Sequence, residues 1–370
     1  MSLSTLLDTG IKNATNVGRF IFGSKAIGEL AKVISSRRQM DNGATVFLID
    51  EFFQSHPQPL GDLPCETGDQ LIYVSTAEEP TTESINGLVR DVSERQRKRP
   101  SAVVGIGGGI TLDTAKAVSN LITNGGCAEE YQGWDLVKKQ GIYKIAIPTL
   151  SGTGAEATRT CVLTNKKTGL KLGMNSDYTV FDQIILDSEL SKTVPRDQYF
   201  YTGMDTFIHC TESLSGNYRN AIGDAFSNQA IQLCREVFLS NDMMSDENRQ
   251  KLMVASYLGG CAIGNSFVGV LHPFSAGLSV AFKIHHCLAN CITMTAMESF
   301  YPNGHREFMT MVEKQNMNLP KDVCSNLSDE QFHALYQATI IHEKPLTNGL
   351  GNRFREILTE DTVRKIFEKM

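Results

Sequence analysis

No window of this sequence stays apolar for the roughly 18 residues that a membrane-spanning helix needs. The opening MSLSTLLDTGIKNATNVGRF also lacks the charged start, apolar core and small-residue cleavage site of a secretory signal, so a soluble protein is expected and no membrane partner. A basic surplus is missing as well. The 35 Lys and Arg are outnumbered by 41 Asp and Glu, for a formal net charge of −6, and no Lys/Arg stripe with interleaved aromatics could hold a phosphate backbone, which excludes nucleic acid as an expected partner. There is no CxxC pair, and the nine cysteines are an odd number. Both facts argue against a disulfide framework and a zinc ribbon, and the thiols read as small core residues in a reducing cytoplasm. Internal repeats, low-complexity tracts and long linkers are absent too.

At 370 residues the chain is long enough for two cores, since a single core rarely grows beyond roughly 250 to 300 residues. Its first half alternates β-rich runs, ATVFLID (44–50), LIYVS (71–75), AVVGIGGG (102–109) and KIAIPT (144–149), with helical lengths such as 81–97 and 112–122. That rhythm predicts a doubly wound α/β domain with a largely parallel sheet. After DSELSKTVPRD (187–197) helical patterns take over, over 200–240 and 247–300. The expected boundary lies near Pro195, with an α/β domain over 1–194 and an all-helical domain over 195–370.

The segment AVVGIGGGITLDTAKAVSNL runs from an apolar strand through Gly107, Gly108 and Gly109 into a helix. Glycines let a ligand approach the backbone, and the helix start offers free N–H groups to a pyrophosphate; a tight turn with no ligand is the plainer alternative. Asp50 closes the strand ATVFLID, where a carboxylate can accept from a ribose 2′-hydroxyl and repel a 2′-phosphate, a preference for NAD over NADP. The acid precedes the glycines here, so this is not the GxGxxG arrangement, and alone Asp50 would read as a solvated turn residue. A second loop, IPTLSGTGAEATRTCVLTN (147–165), carries Thr149, Ser151, Thr153 and Thr158 around two glycines and suits a phosphate or ribose, or simply a polar turn.

In YTGMDTFIHC, Asp205 and His209 stand four residues apart on an apolar helix, so their side chains lie one above the other, about 5–6 Å apart at Cβ. They can share an ion or form a hydrogen-bonded couple. Further on, VGVLHPFSAGLSVAFKIHHCLANC adds His272, His285 and His286, so four of the eight histidines fall in two helical segments. One Asp and three imidazoles suit Fe(II) or Zn(II) better than Mg or Ca. His285 and His286 point in different directions on a helix, so at most one is a ligand.

Together FIFGSKAIGEL, GGGITLDTAKA, IPTLSGTGAEATR, GMDTFIHCTES, HHCLANC and PLTNGLG resemble the iron-containing alcohol dehydrogenase superfamily, related in fold to dehydroquinate synthase. The resemblance covers nearly the whole chain. It implies an N-terminal NAD-binding α/β domain, a helical C-terminal domain, a divalent metal in the cleft between them, and a homodimer. Carried over by position, Asp205, His209, His272 and His286 look like the metal ligands and catalytic set. Asp113 and Lys171 join Asp50, Gly107, Gly108, Gly109, Thr149, Thr153 and Thr158 as cofactor-binding residues. The step from His272 to His286 is 286 − 272, or 14 residues, and fits the family without a gap. A competing alignment makes His272 the family's non-ligand histidine and inserts a helical turn before His286. Two departures stand out: Ala276 replaces a histidine four residues after the third ligand, leaving the proton relay unassigned, and Ile110 follows the glycines where a small polar residue is usual.

NSDYTVFDQIILDSEL and EYQGWDLVKK look most like the branch called 3-deoxy-manno-octulosonate 8-oxidases. The expected activity is oxidation of a primary alcohol to an aldehyde, at C8 of that sugar acid or on a similar small alcohol, with NAD and one divalent metal. A dehydroquinate synthase-type lyase that regenerates NAD in each cycle is the rival, and a non-catalytic metal- and nucleotide-binding protein is a third reading.

Overall fold

A computed structural model describes residues 13–95 and 98–370. Residues 1–12 of the opening stretch, and residues 96 and 97 at the end of the expected helix 81–97, lie outside the described residues. The chain divides into two compact units at Val194 and Pro195.

The first unit holds β1 (Arg19–Phe22), β2 (Thr45–Asp50), β3 (Gln70–Val74), β4 (Ala102–Gly107), β5 (Gly133–Trp134), β6 (Lys144–Pro148), β7 (Thr160–Asn165), β8 (Leu170–Asn175) and β9 (Gln183–Leu186). Its helices are α1 (Leu30–Asp41), α2 (Phe52–Ser55), α3 (Thr82–Arg95) and α4 (Gly109–Asn124). Six strands form one sheet in the order β1-β9-β6-β4-β2-β3, with every pair parallel. Helices cover both faces, so β4 and β6 are buried along their whole length and read as unbroken apolar runs instead of alternating ones. Phe47, Ile49, Val104, Ile106, Ile145 and Ile147 pack with Leu30 and Ile34 of α1. The register sets Ile49 beside Ile106 and Gly107 beside Pro148. Asp50, Gly107 and Thr149 therefore come level at the carboxyl ends of three neighbouring strands, where open parallel sheets bind ligands.

The hydroxyl-rich loop expected over 147–165 is shorter than its sequence suggests. From Thr160 it becomes β7, which pairs antiparallel with β8 and, through it, with β5 in a second sheet. Cys161, Leu163 and Met174 of this hairpin bury against Ile85, Ala117 and Leu121, so apolar packing outweighs the polar residues that suggested a loop.

The second unit contains α5 (Arg196–Ser215), α6 (Ala221–Phe238), α7 (Asp246–Ser266), α8 (Leu271–Phe282), α9 (His286–Thr295), α10 (Pro302–Lys314), α11 (Asp329–Ile340), α12 (Glu343–Leu350), α13 (Phe354–Ile357) and α14 (Glu360–Phe367). The expected stretch 200–240 breaks at Gly216, and 247–300 breaks twice. Phe267 ends α7 with φ 64 and Lys283 ends α8 with φ 55, both in the left-handed half of backbone space. His285 is not inside a helix with His286; it is the N-cap of α9, in extended backbone. All nine cysteines are free, seven of them buried. Among the described residues no single helix is long and apolar enough to cross a membrane.

Candidate metal centre and cofactor loops

Asp205, His209 and Glu212 occupy positions i, i+4 and i+7 of α5 and share one face. Their helix is buried from Phe200 to Ser213 except at Tyr201, and packs closely: a Cβ on Gly203 would meet Phe238 at 2.4 Å, and one on Gly259 would meet Thr206 at 2.9 Å. Onto that face α8 brings His272 and α9 brings His286. One ligand atom from each of Asp205, His272 and His286 lies within 4.8 Å of the others. His272 Nε2 stands 3.3 Å from Asp205 Oδ1, and His286 Nε2 stands 3.7 Å from Asp205 Oδ2. His209 lies outside that trio but faces the same carboxylate, with Nε2 3.4 Å from Oδ1 and its ring stacked on His272 at 4.7 Å.

Burial alone would raise the Asp205 pKa, but His209, His272 and His286 together hold it well below the usual carboxylate range. His209 is pushed down to about 4 by burial, against the pull of Asp205. Burial also opposes charge on His272, yet Glu212 and then Asp205 raise it to about 10. Histidines alone balance the two carboxylates among the described residues. The pocket therefore favours positive charge at His272 Nε2, and a proton there would give way to a metal cation. The carboxylate of Asp205 and the imidazoles of His272 and His286 form a donor set of the kind that suits Fe(II) or Zn(II). The Nε2 of His209 is the nitrogen that faces the Asp205 carboxylate, while its buried Nδ1 makes no hydrogen bond.

Sequence reasoning missed two residues here. Asn290 Nδ2 donates to Asp205 Oδ1 at 2.7 Å and lies 3.2 Å from His286 Nε2. Glu212 pairs with His272 Nδ1 and accepts from the Leu271 N–H at 2.6 Å. A signal existed for both, because Asn290 is i+4 from His286, as His209 is from Asp205, and Glu212 is i+3 from His209, so each shares a helix face with a candidate ligand.

In the first unit, the residues expected to hold a nucleotide fall into two groups. Gly108 caps α4 without any side-chain cap, so the first amides of the helix are left to other acceptors. A Cβ on Gly107 would stand 2.7 Å from Thr111 Cβ and 3.0 Å from Asp50 Cβ, and one on Gly109 would stand 3.3 Å from Thr153 Oγ1. Asp50, Gly107, Gly108, Gly109, Thr149 and Thr153 thus gather at the carboxyl end of the sheet, over its strands β2, β4 and β6. Asp113, Thr158 and Lys171 make hydrogen bonds or ion pairs with distant parts of the fold. Asp113 Oδ2 accepts from the Val162 N–H at 2.9 Å, Thr158 Oγ1 accepts from Lys116 Nζ at 2.9 Å, and Lys171 pairs with Glu79 at 3.0 Å.

Comparison with known proteins agrees with this architecture. The family model described as iron-containing alcohol dehydrogenase matches residues 18–188, and its C-terminal counterpart matches residues 199–342. The chain belongs to the iron-containing alcohol dehydrogenase family. These are NAD-dependent oxidoreductases acting on CH–OH groups with one divalent metal. The sulfoacetaldehyde reductase of Bilophila wadsworthia is 36% identical over 222 residues, 59% of this chain and 56% of that protein. The NAD-dependent methanol dehydrogenase of Bacillus methanolicus is 32% identical over 202 residues, 54% of this chain and 53% of that protein. The chain spans about half the length of these curated relatives. In fold it is similar to a 1,3-propanediol oxidoreductase, with TM-score 0.81 and 20% identity over 97% of this chain and 99% of that one. A sulfoacetaldehyde reductase of Bifidobacterium kashiwanohense in complex with NAD+ superposes with TM-score 0.79 at 20% identity, over 97% of this chain and 98% of that one.

Proposed function

We propose that this chain interconverts a primary alcohol and its aldehyde, using NAD and one divalent cation held by Asp205, His209, His272 and His286. The observation that carries the reading is the meeting of Asp205, His272 and His286 donor atoms within 4.8 Å on three helices that packing holds together. When bound, the cation supplies Lewis acidity at a substrate oxygen and NAD supplies a hydride acceptor. The protein's own part is position. Asp205 is kept ionised by its histidines, and Asn290 fixes the orientation of that carboxylate. Asp50, beside the glycines, is placed for ribose hydroxyls and against a 2′-phosphate, which supports NAD over NADP; Asp113, Thr158 and Lys171 would act on the nucleotide side through the framework they brace.

Sulfoacetaldehyde and methanol, named for the two relatives, share the two-electron step at a primary carbon. The resemblance of NSDYTVFDQIILDSEL and EYQGWDLVKK supports C8 of 3-deoxy-manno-octulosonate as the specific substrate, and a homodimer is the proposed assembly. The test is NADH absorbance after mixing the zinc- or iron-loaded protein, NAD and a panel containing methanol, 1,3-propanediol and 3-deoxy-manno-octulosonate, with sulfoacetaldehyde and NADH run in reverse. Metal-dependent turnover of at least one member is expected. A protein that binds NAD and metal yet changes NADH with none of them would overturn the dehydrogenase reading in favour of a lyase that keeps its cofactor.

A further inference from the structure

We infer that Glu212 is a positioning residue that holds the proton of His272 on Nδ1 and so leaves the Nε2 lone pair free for the metal. Glu212 is buried, with 1% of its surface exposed. Its Oε1 accepts from the Leu271 N–H at 2.6 Å and lies 3.4 Å from the His272 N–H. The Tyr301 hydroxyl already accepts from the Val270 N–H at 2.8 Å, so its own proton goes to Glu212 Oε1, 3.2 Å away. Oε1 is therefore surrounded by donors and serves only as an acceptor. The other oxygen, Oε2, lies against His272 Nδ1. As a carboxylate it accepts there too, so Nδ1 carries a proton and Nε2 offers its lone pair beside Asp205. Space reinforces the arrangement: a Cβ on Gly269 would lie 2.6 Å from the Tyr301 hydroxyl and 3.3 Å from Glu212 Oε1.

This inference rests on the proposed metal site but not on the substrate. It makes Glu212→Gln a pointed test, because an amide has one accepting and one donating end. Its oxygen stays with the cluster of donors, so its NH2 group faces Nδ1 and drives the proton to Nε2, where a cation cannot then be ligated.

The experiment measures zinc and cobalt affinity of the full chain by competition with a chelator, with no alcohol present. Glu212→Gln is expected to weaken binding by about 10- to 100-fold, while NAD affinity stays near that of the unaltered chain. Equal zinc affinity in the variant and the unaltered protein overturns the inference. If the variant does not fold, 15N spectra of the zinc-loaded unaltered protein decide: a proton on His272 Nδ1 supports the assignment, and a proton on Nε2 overturns it. An unaltered chain that takes up neither metal brings down the metal site and this inference together, whereas zinc binding without alcohol turnover counts only against the proposed function.

Discussion

Asp113 carries the most consequential titration outside the metal centre. Burial raises its pKa from 3.8 to about 6, even though Lys116 pulls the other way. The folded protein thus keeps a proton that the unfolded chain has already lost between about pH 4 and pH 6, and stability falls as pH rises through that window. Asp113→Asn cannot lose a proton, and its amide oxygen can still accept from Val162. The stability of this variant relative to the unaltered protein should rise from about pH 4 to pH 6 and level off above, as read from denaturant midpoints at each pH. A flat difference would mean that Asp113 is not the desolvated, half-buried acid described. At this scale the helical spacing paired Asp205 with His209, and the family resemblance added His272 and His286 to them. The sequence did not show that Asp113, Thr158 and Lys171 have their polar atoms engaged in the fold, because those partners lie 42 to 92 residues away.

Between elements, one buried lysine does much of the joining. Lys116 of α4 donates to the Thr158 carbonyl at 3.0 Å and the Thr160 carbonyl at 2.7 Å, and so ties the glycine-loop helix to the start of β7. Lys116→Met would leave those buried acceptors without their donor, at a cost on the order of 2–4 kcal/mol. The expected result is a lower urea midpoint with weaker NAD binding; an unchanged midpoint would show the tie to be dispensable. The break between α7 and α8 shows why element boundaries escaped the sequence. Gly264, Gly269 and Pro273 weaken a continuing helix here without fixing where the chain turns, and a Phe at φ 64 and ψ 164 is costly by itself. The turn is held from afar, by Asn348 Nδ2 donating to the carbonyls of Ser266, Phe267 and Val268 at 3.0 to 3.3 Å, and by Lys344 over the Phe267 ring at 4.4 Å. That turn is what aims α8, and with it His272, at the face of α5.

For the molecule as a whole, each ligand should leave its mark on a different unit. A ligand that binds only the folded state adds about 2.7 kcal/mol of stability at one hundred times its Kd. In hydrogen exchange followed by peptide, zinc should slow α5, α8 and α9, whereas NAD should slow the segments around Gly107 and Thr149. Zinc protection confined to the first unit would contradict the ligand set.

The sequence by itself determined the kinds of parts: a parallel α/β half, a helical half, a glycine turn into a helix, and a carboxylate and imidazoles at helical spacing. Those follow from local rules of period, backbone freedom and donor chemistry that a short segment carries in full. Only the tertiary structure decided that Asn290 would reach Asp205 across 85 residues and Glu212 would grip His272 across 60. Such contacts depend on how whole helices pack, and packing is set by the combined fit of many side chains that no single segment contains.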